Sequence, residues 1–205
     1  MVSLTVMAAS LLVSSMALGQ ALPPSDCTLD KPDKLTCRLS SINSRLERTD
    51  FSVIPNTTLS LNVVCTQDDV GSLPPAAFSS LTKLNHLSLE GCVLDFLPAG
   101  VFQGLRSLES LRVSTNSPVP PRLEQDSLFH VPLLTNLDLS SFSARSFPTR
   151  ELCSLPSPTS LNVSNNEIGP IHDLGLSISA GSDCLCRLST LDLARCNQQA
   201  LHGGG

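Results

Sequence analysis

The stretch "LNHLSLEGCVLDFLPAGVFQGL" (residues 84–105) carries the pattern that decides the fold. Apolar residues occupy its first, fourth and sixth positions, and Cys92 occupies the ninth. Its second half holds a proline, an apolar pair and a closing leucine. A segment this short cannot bury its own leucines, so it indicates one coil of a stacked array.

The same pattern recurs along most of the chain. Units start near residues 58, 84, 108, 134, 158 and 188, which gives periods of 26, 24, 26, 24 and 30 residues. These periods and the LxL centre are typical of leucine-rich repeats, and neither one amphipathic helix nor a compact α/β domain would produce them. The predicted fold is α/β, a leucine-rich repeat solenoid with short parallel strands on its concave face. The ninth position, where an asparagine usually caps the turn, holds Cys92, Asn116, Phe142, Asn166 and Cys196.

The chain before the first repeat divides into two segments. Residues 1–21 carry no charge, with small residues at Ala17, Gly19 and Ala21, and predict a secretory signal peptide rather than a membrane anchor. Residues 22–57 predict an N-terminal cysteine cap, and residues 58–205 hold the repeats. Since the array stops without a second cap, we expect a truncated or partial chain. Sequons at Asn56 and Asn162 fit N-glycosylation in the secretory pathway.

Eight cysteines suit that oxidising compartment. Cys27 and Cys37 predict a disulfide-closed cap. Cys65 and Cys92 fall in the eighth and ninth positions of adjacent units, close enough on neighbouring strands to pair, with a free buried Cys92 as the alternative. Cys153 and Cys184 precede adjacent units at matching distances, which predicts a second disulfide between neighbouring coils. Cys186 and Cys196 lie too far apart to pair with each other, and a zinc site at Cys184-x-Cys186 is disfavoured.

Side chains alternate along a strand, so the third, fifth and seventh positions should face the concave surface. The candidate binding residues there are His86, Ser88, Glu90, Ser110, Arg112, Asn136 and Asp138. Ser114, Ser140 and Ser164 hold the seventh position in later units and are expected on the same face. The surface is small, polar and mildly acidic, and Arg112 is its one residue of a type favoured at interface hot spots.

Composition argues against several other functions. The net charge of −5 argues against nucleic-acid binding, which favours a basic surface. The four histidines show no metal-binding spacing, and no phosphate-binding loop or nucleophile elbow is present. His86 and Glu90 could in principle serve a hydrolase, but two solvated side chains are the simpler reading. We therefore expect a protein that is not an enzyme and that needs no cofactor.

The cysteine positions give the repeats a more specific resemblance. "CTLDKPDKLTCRLSSINSRLERTDFSVIP", "LNVVC", "LSLEGCVLDFLPAGVFQGL" and "ELCSLPSPTSLNVSNNEI" together resemble the N-terminal ectodomain of arthropod Toll receptors, especially the long Toll type related to 18-wheeler. The resemblance implies an extracellular receptor region in innate immune or developmental signalling that binds Spätzle-like protein ligands or another ectodomain. Members of that family carry more repeats, a transmembrane helix and a cytoplasmic signalling domain. The alternative is a secreted or matrix leucine-rich repeat protein acting in adhesion or as a decoy.

Overall fold

A computed structural model of the chain describes residues 26–42, 51–145, 155, 158–168 and 188–196. Within them it is built from short strands joined by turns. The strands are β1 (Cys27–Lys31), β2 (Lys34–Leu39), β3 (Ser60–Cys65), β4 (His86–Glu90), β5 (Phe96–Leu97), β6 (Ser110–Val113), β7 (Arg122–Leu123), β8 (Asn136–Asp138), β9 (Ser160–Asn162) and β10 (Thr190–Asp192).

One long sheet runs through the repeats in the order β1-β2-β3-β4-β6-β8-β9-β10. Every pairing after β1–β2 is parallel, and residues at the same repeat position stand opposite one another, as Ser60 does to His86 and His86 to Ser110. This in-register parallel sheet confirms the predicted solenoid. Its core is a ladder of apolar side chains from the fourth and sixth positions, including Leu61, Leu87, Leu89, Leu111, Val113, Leu137, Leu161 and Val163, each at most 2% exposed.

The sheet begins earlier than the repeat pattern indicates. β2 lies in the cap region, yet it pairs with β3 in parallel, with Lys34 opposite Ser60 and Leu39 opposite Cys65. β1 then folds back antiparallel and covers the outer edge of β2. The cap is therefore a hairpin whose second strand already behaves as a repeat strand, with Leu35 and Cys37 taking the buried positions.

The segments that connect successive strands are called return segments below, and where the structure describes them they contain turns in place of helices. Among the described residues the one helical element is a 3-10 turn at Phe51–Val53, so the helical half of the α/β expectation is not seen there. β5 and β7 form a separate two-stranded parallel sheet on the return side. Through β7 the pairing includes the end of the stretch that follows Asn116, which holds Pro118, Pro120 and Pro121.

A column of phenylalanines fills the core behind the first return segments. The Phe51 and Phe78 ring centroids lie 4.6 Å apart, and those of Phe78 and Phe102 lie 6.3 Å apart. Gly104 allows the two return segments to approach, since a Cβ there would meet the Ser79 Cα at 2.8 Å and its φ is +97°. The tight spacing between coils thus depends on a residue without a side chain.

Two disulfides join the cysteine pairs proposed from the sequence. Cys27 bonds to Cys37 across the β1–β2 hairpin, and Cys65 bonds to Cys92 between adjacent coils, with their Cα atoms 4.9 Å apart. Gly91, at a φ of +68°, turns the chain after β4 and brings Cys92 towards β3. The Cys153–Cys184 pair and Cys186 lie outside the described residues.

The ninth repeat position is used in more than one way. Asn166 is buried; its Nδ2 donates to the carbonyls of Leu139 and Val163, and its Oδ1 accepts from the amides of Phe142 and Ala144. Cys196 holds this position one coil later, and its thiol donates to the Val163 carbonyl at 3.3 Å. Cys196 is free of disulfide bonding within the described residues.

The return segment that follows β6 places a polar group in the core. Ser127 is fully buried, and its hydroxyl has no hydrogen-bond partner among the described residues. The equivalent positions of the two preceding coils are Ala77 and Val101. A buried hydroxyl without a partner costs about 1 to 3 kcal/mol.

We expect Ser127→Val to raise the free energy of unfolding by about 1 kcal/mol, because an apolar side chain like that of the equivalent Val101 replaces the unpaired hydroxyl. Urea unfolding followed by circular dichroism measures the change. Val101→Ser is the matched reverse variant and should destabilise the chain. A Ser127→Val protein less stable than the original would contradict this expectation.

Within the described residues no helix is long and apolar enough to cross a membrane.

Candidate functional site

The candidate binding residues share one face of the long sheet, here called the concave face. His86, Arg112 and Asn136 are exposed, while Ser88, Glu90, Ser110 and Asp138 are half-buried. Parallel in-register pairing sets Ser88, Arg112 and Asp138 side by side on β4, β6 and β8. The repeat period therefore converts residues far apart in sequence into neighbours on a rigid surface.

Arg112 is the centre of a charged row across these strands. Its Nη1 lies 3.2 Å from Asp138 Oδ2 on one side, and its Nε lies 4.0 Å from Glu90 Oε1 on the other. Ser88 donates from its hydroxyl to the same Glu90 oxygen at 2.9 Å. The Arg112 side chain remains 46% exposed, so the row holds the guanidinium in place without removing it from solvent.

Backbone amides donate hydrogen bonds to three polar side chains of this face. Asp138 Oδ1 accepts from the Ser140 amide at 2.8 Å, and Asn162 and Asp192 accept from the amides of Ser164 and Ala194 in the same way. Asp138 thus has one oxygen on its own turn and the other on Arg112. Such double anchoring reduces the conformational entropy that a binding partner would have to remove.

The concave face is narrower than the alternation of strand residues predicts. Ser114, Ser140 and Ser164 hold the seventh position but are only 9%, 5% and 7% exposed. The strands β6, β8 and β9 have ended by that position. The chain therefore turns towards the core there, and the three serines become buried. From β6 to β9 the accessible face consists of the third and fifth positions.

The two sequons differ in their surroundings. Asn56 is exposed in a turn before β3. Asn162 is half-buried at the end of β9, with Asp138 and Asp192 opposite it on the neighbouring strands. A glycan on Asn162 would project from the concave face two strands away from Arg112, about 10 Å along the sheet.

Of the two asparagines at the ninth repeat position, one caps its turn and the other does not. Asn166 caps the turn as expected, but Asn116 is exposed at the same repeat position. In that coil the Ser117 amide instead donates to the buried Thr115 hydroxyl at 3.0 Å. The proline-rich stretch after Asn116 requires a different turn, which the repeat alignment alone does not reveal.

Comparison with known proteins indicates the class of protein to which the chain is similar. Residues 60–117 match the leucine rich repeat family model. Human 5T4 (Wnt-activated inhibitory factor 1, trophoblast glycoprotein) has a similar fold, with a TM-score of 0.53 and 23% identity over 84% of this chain and 71% of that one. Together with the in-register sheet, these matches identify a leucine-rich repeat solenoid.

Comparison of the amino-acid sequence finds a more specific relative. Toll-like receptor 7 from Drosophila melanogaster is 38% identical over 119 residues, which is 54% of this chain and 8% of the receptor. This similarity supports the Toll-type ectodomain resemblance seen in the cysteine pattern. The chain spans less than a tenth of the length of that receptor.

Proposed function

We propose that this chain belongs to the extracellular ligand-binding region of a Toll-type receptor and that its concave face binds a protein ligand. The Glu90–Arg112–Asp138 row is the observation that carries the proposal. It lies on three adjacent strands of a rigid sheet, and it presents an ordered, half-exposed arginine. Arginine is among the residue types that dominate protein interfaces.

The row has little value for stability alone. Solvent-exposed ion pairs typically contribute about 0.2 to 1 kcal/mol, because side-chain ordering and screening offset the attraction. Arg112 can therefore be changed with little effect on folding. An effect of such a change on binding would report on the interface itself.

The resemblance to Toll receptors makes a Spätzle-like cytokine the first ligand to test. Asn162 is the second feature of interest, because its glycan would restrict the ligand to β2–β6 or to the edges of the sheet. The secretory signal and both sequons agree with display outside the cell. A secreted adhesion or decoy protein remains the alternative, and sequencing the transcript beyond Gly205 for a transmembrane segment and a signalling domain separates the two.

We expect Arg112→Glu to weaken binding of a Spätzle-type cytokine at least about tenfold, since it removes a central cation and adds a third acid to the row. Biolayer interferometry with the immobilised chain measures the dissociation constant. Arg122→Glu, on β7 of the return side, is the charge-matched control and should leave binding unchanged. Equal affinity of both variants would locate the ligand site elsewhere.

A further inference from the structure

A second surface lies on the return segments, away from the concave face. Three successive coils there form a groove of about 590 Å³. The first two coils contribute small residues together with Gln103 and Arg106, and the third contributes bulky ones. The lining consists of Ala76, Ser79, Gln103, Gly104, Arg106, Phe129, His130 and Pro132.

The aromatic side of the groove arises from a register change in the repeat. Phe78 and Phe102 are fully buried at equivalent positions of the first two coils. In the third coil Leu128 takes that core position, and the phenylalanine follows one residue later as Phe129, which is 58% exposed. The core therefore does not need Phe129. Phenylalanine is among the residue types enriched at protein interfaces.

Neighbouring contacts order this aromatic side. The ring of Phe129 meets the His130 ring edge to face, with the centroids 5.3 Å apart. The Phe129 amide donates to the Asp126 carbonyl at 3.2 Å, which closes the turn that carries both rings. A ring held in this way presents apolar area at low entropic cost.

The groove is cationic on a chain whose net charge is −5. Arg106 supplies a positive charge to its lining, which includes no carboxylate. Among the described residues the ion pairs are those of Arg112 and Arg145, and Arg106 makes none there. Glu124, an acid of the same return segment as Phe129, instead accepts from the Ala99 amide.

We propose that this groove binds an extended acidic peptide segment of a partner protein, with a carboxylate on Arg106 and an apolar side chain against Phe129. An arginine fork matches a carboxylate with two parallel hydrogen bonds. The volume falls within the range of about 300 to 1,000 Å³ for ligand pockets.

The proposal is independent of ligand binding at the concave face. Its probe is a fluorescein-labelled glutamate-rich peptide of about eight residues with one central leucine. Fluorescence anisotropy with the 205-residue chain should show saturable binding with a Kd below about 1 mM. Raising the salt concentration should weaken that binding, because the contact is partly ionic.

Substitutions in the groove locate the site. Arg106→Glu and Phe129→Ser should each weaken binding at least about fivefold, since each removes one of the two contacts. Arg122→Glu and Val119→Ser change an arginine and a 63% exposed apolar residue outside the lining, and should leave the Kd unchanged. Circular dichroism checks that all four variants retain the fold.

Several outcomes would overturn the proposal. These are the absence of saturable binding, equal affinity for the lysine counterpart of the peptide, and equal losses with the control variants. Self-association of the chain that Phe129→Ser abolishes would assign the groove to a second copy instead. Sedimentation velocity at several protein concentrations detects that case.

Discussion

Replacing Cys92 with serine is expected to lower the free energy of unfolding by about 3.5 kcal/mol and the melting temperature by roughly 10 °C. The Cys65–Cys92 bond closes a loop with a sequence separation of 27 and joins two adjacent coils. Without it the unfolded chain gains the entropy of that loop. In the folded state the Cys92 position is 1% exposed, so the serine hydroxyl would also enter an apolar site.

Two companion variants separate these effects. Cys65→Ala combined with Cys92→Ala removes the bond without leaving a free thiol or a buried hydroxyl. Cys196→Ser removes a thiol that makes one hydrogen bond to Val163, and it should change stability by no more than about 1 kcal/mol. Alkylation of both Cys65 and Cys92 in the folded wild-type protein would show that the bond is absent.

Asn166→Ala should destabilise the chain by about 3 to 5 kcal/mol. Its side chain accepts from two amides of the preceding coil and donates to carbonyls of Leu139, Val163 and Ser164. The residue is 3% exposed, so water cannot readily replace these bonds. Each buried group left unpaired costs about 1 to 3 kcal/mol.

The chain offers a matched control for this prediction. Asn116→Ala changes the same residue at the same repeat position, but Asn116 is exposed, and we expect a change within about 0.5 kcal/mol. Urea unfolding of both variants measures the difference. Similar losses in the two proteins would mean that the hydrogen bonds of Asn166 do not carry its stabilising effect.

The sequence alone was sufficient for the repeat architecture. Leucines at the first, fourth and sixth positions predict strands in register, because only stacked coils bury them. Ser60, His86 and Ser110 accordingly stand opposite one another. The same register brings Cys65 near Cys92, and it sets Arg112 next to Asp138.

Repeat alignment fails where the coils differ from one another. It places Asn116 and Asn166 in equivalent caps, yet the turn after β6 uses Thr115 instead. It also exposes Ser114, Ser140 and Ser164, which the end of each strand turns inward. A pattern of apolar positions specifies which residues must be buried, but it does not specify where a strand ends or which hydrogen bonds the following turn makes.

What the sequence by itself determined is the solenoid, its repeat length and the residues that stack on one face, because hydrophobic periodicity acts on every coil in the same way. Only the tertiary structure decided that β2 of the cap joins the sheet, that Phe129 leaves the core, and that Arg106 and His130 meet at one groove. These features depend on how particular side chains of neighbouring coils fit against each other. That fit is a property of three-dimensional packing and hydrogen bonding, and no single repeat encodes it.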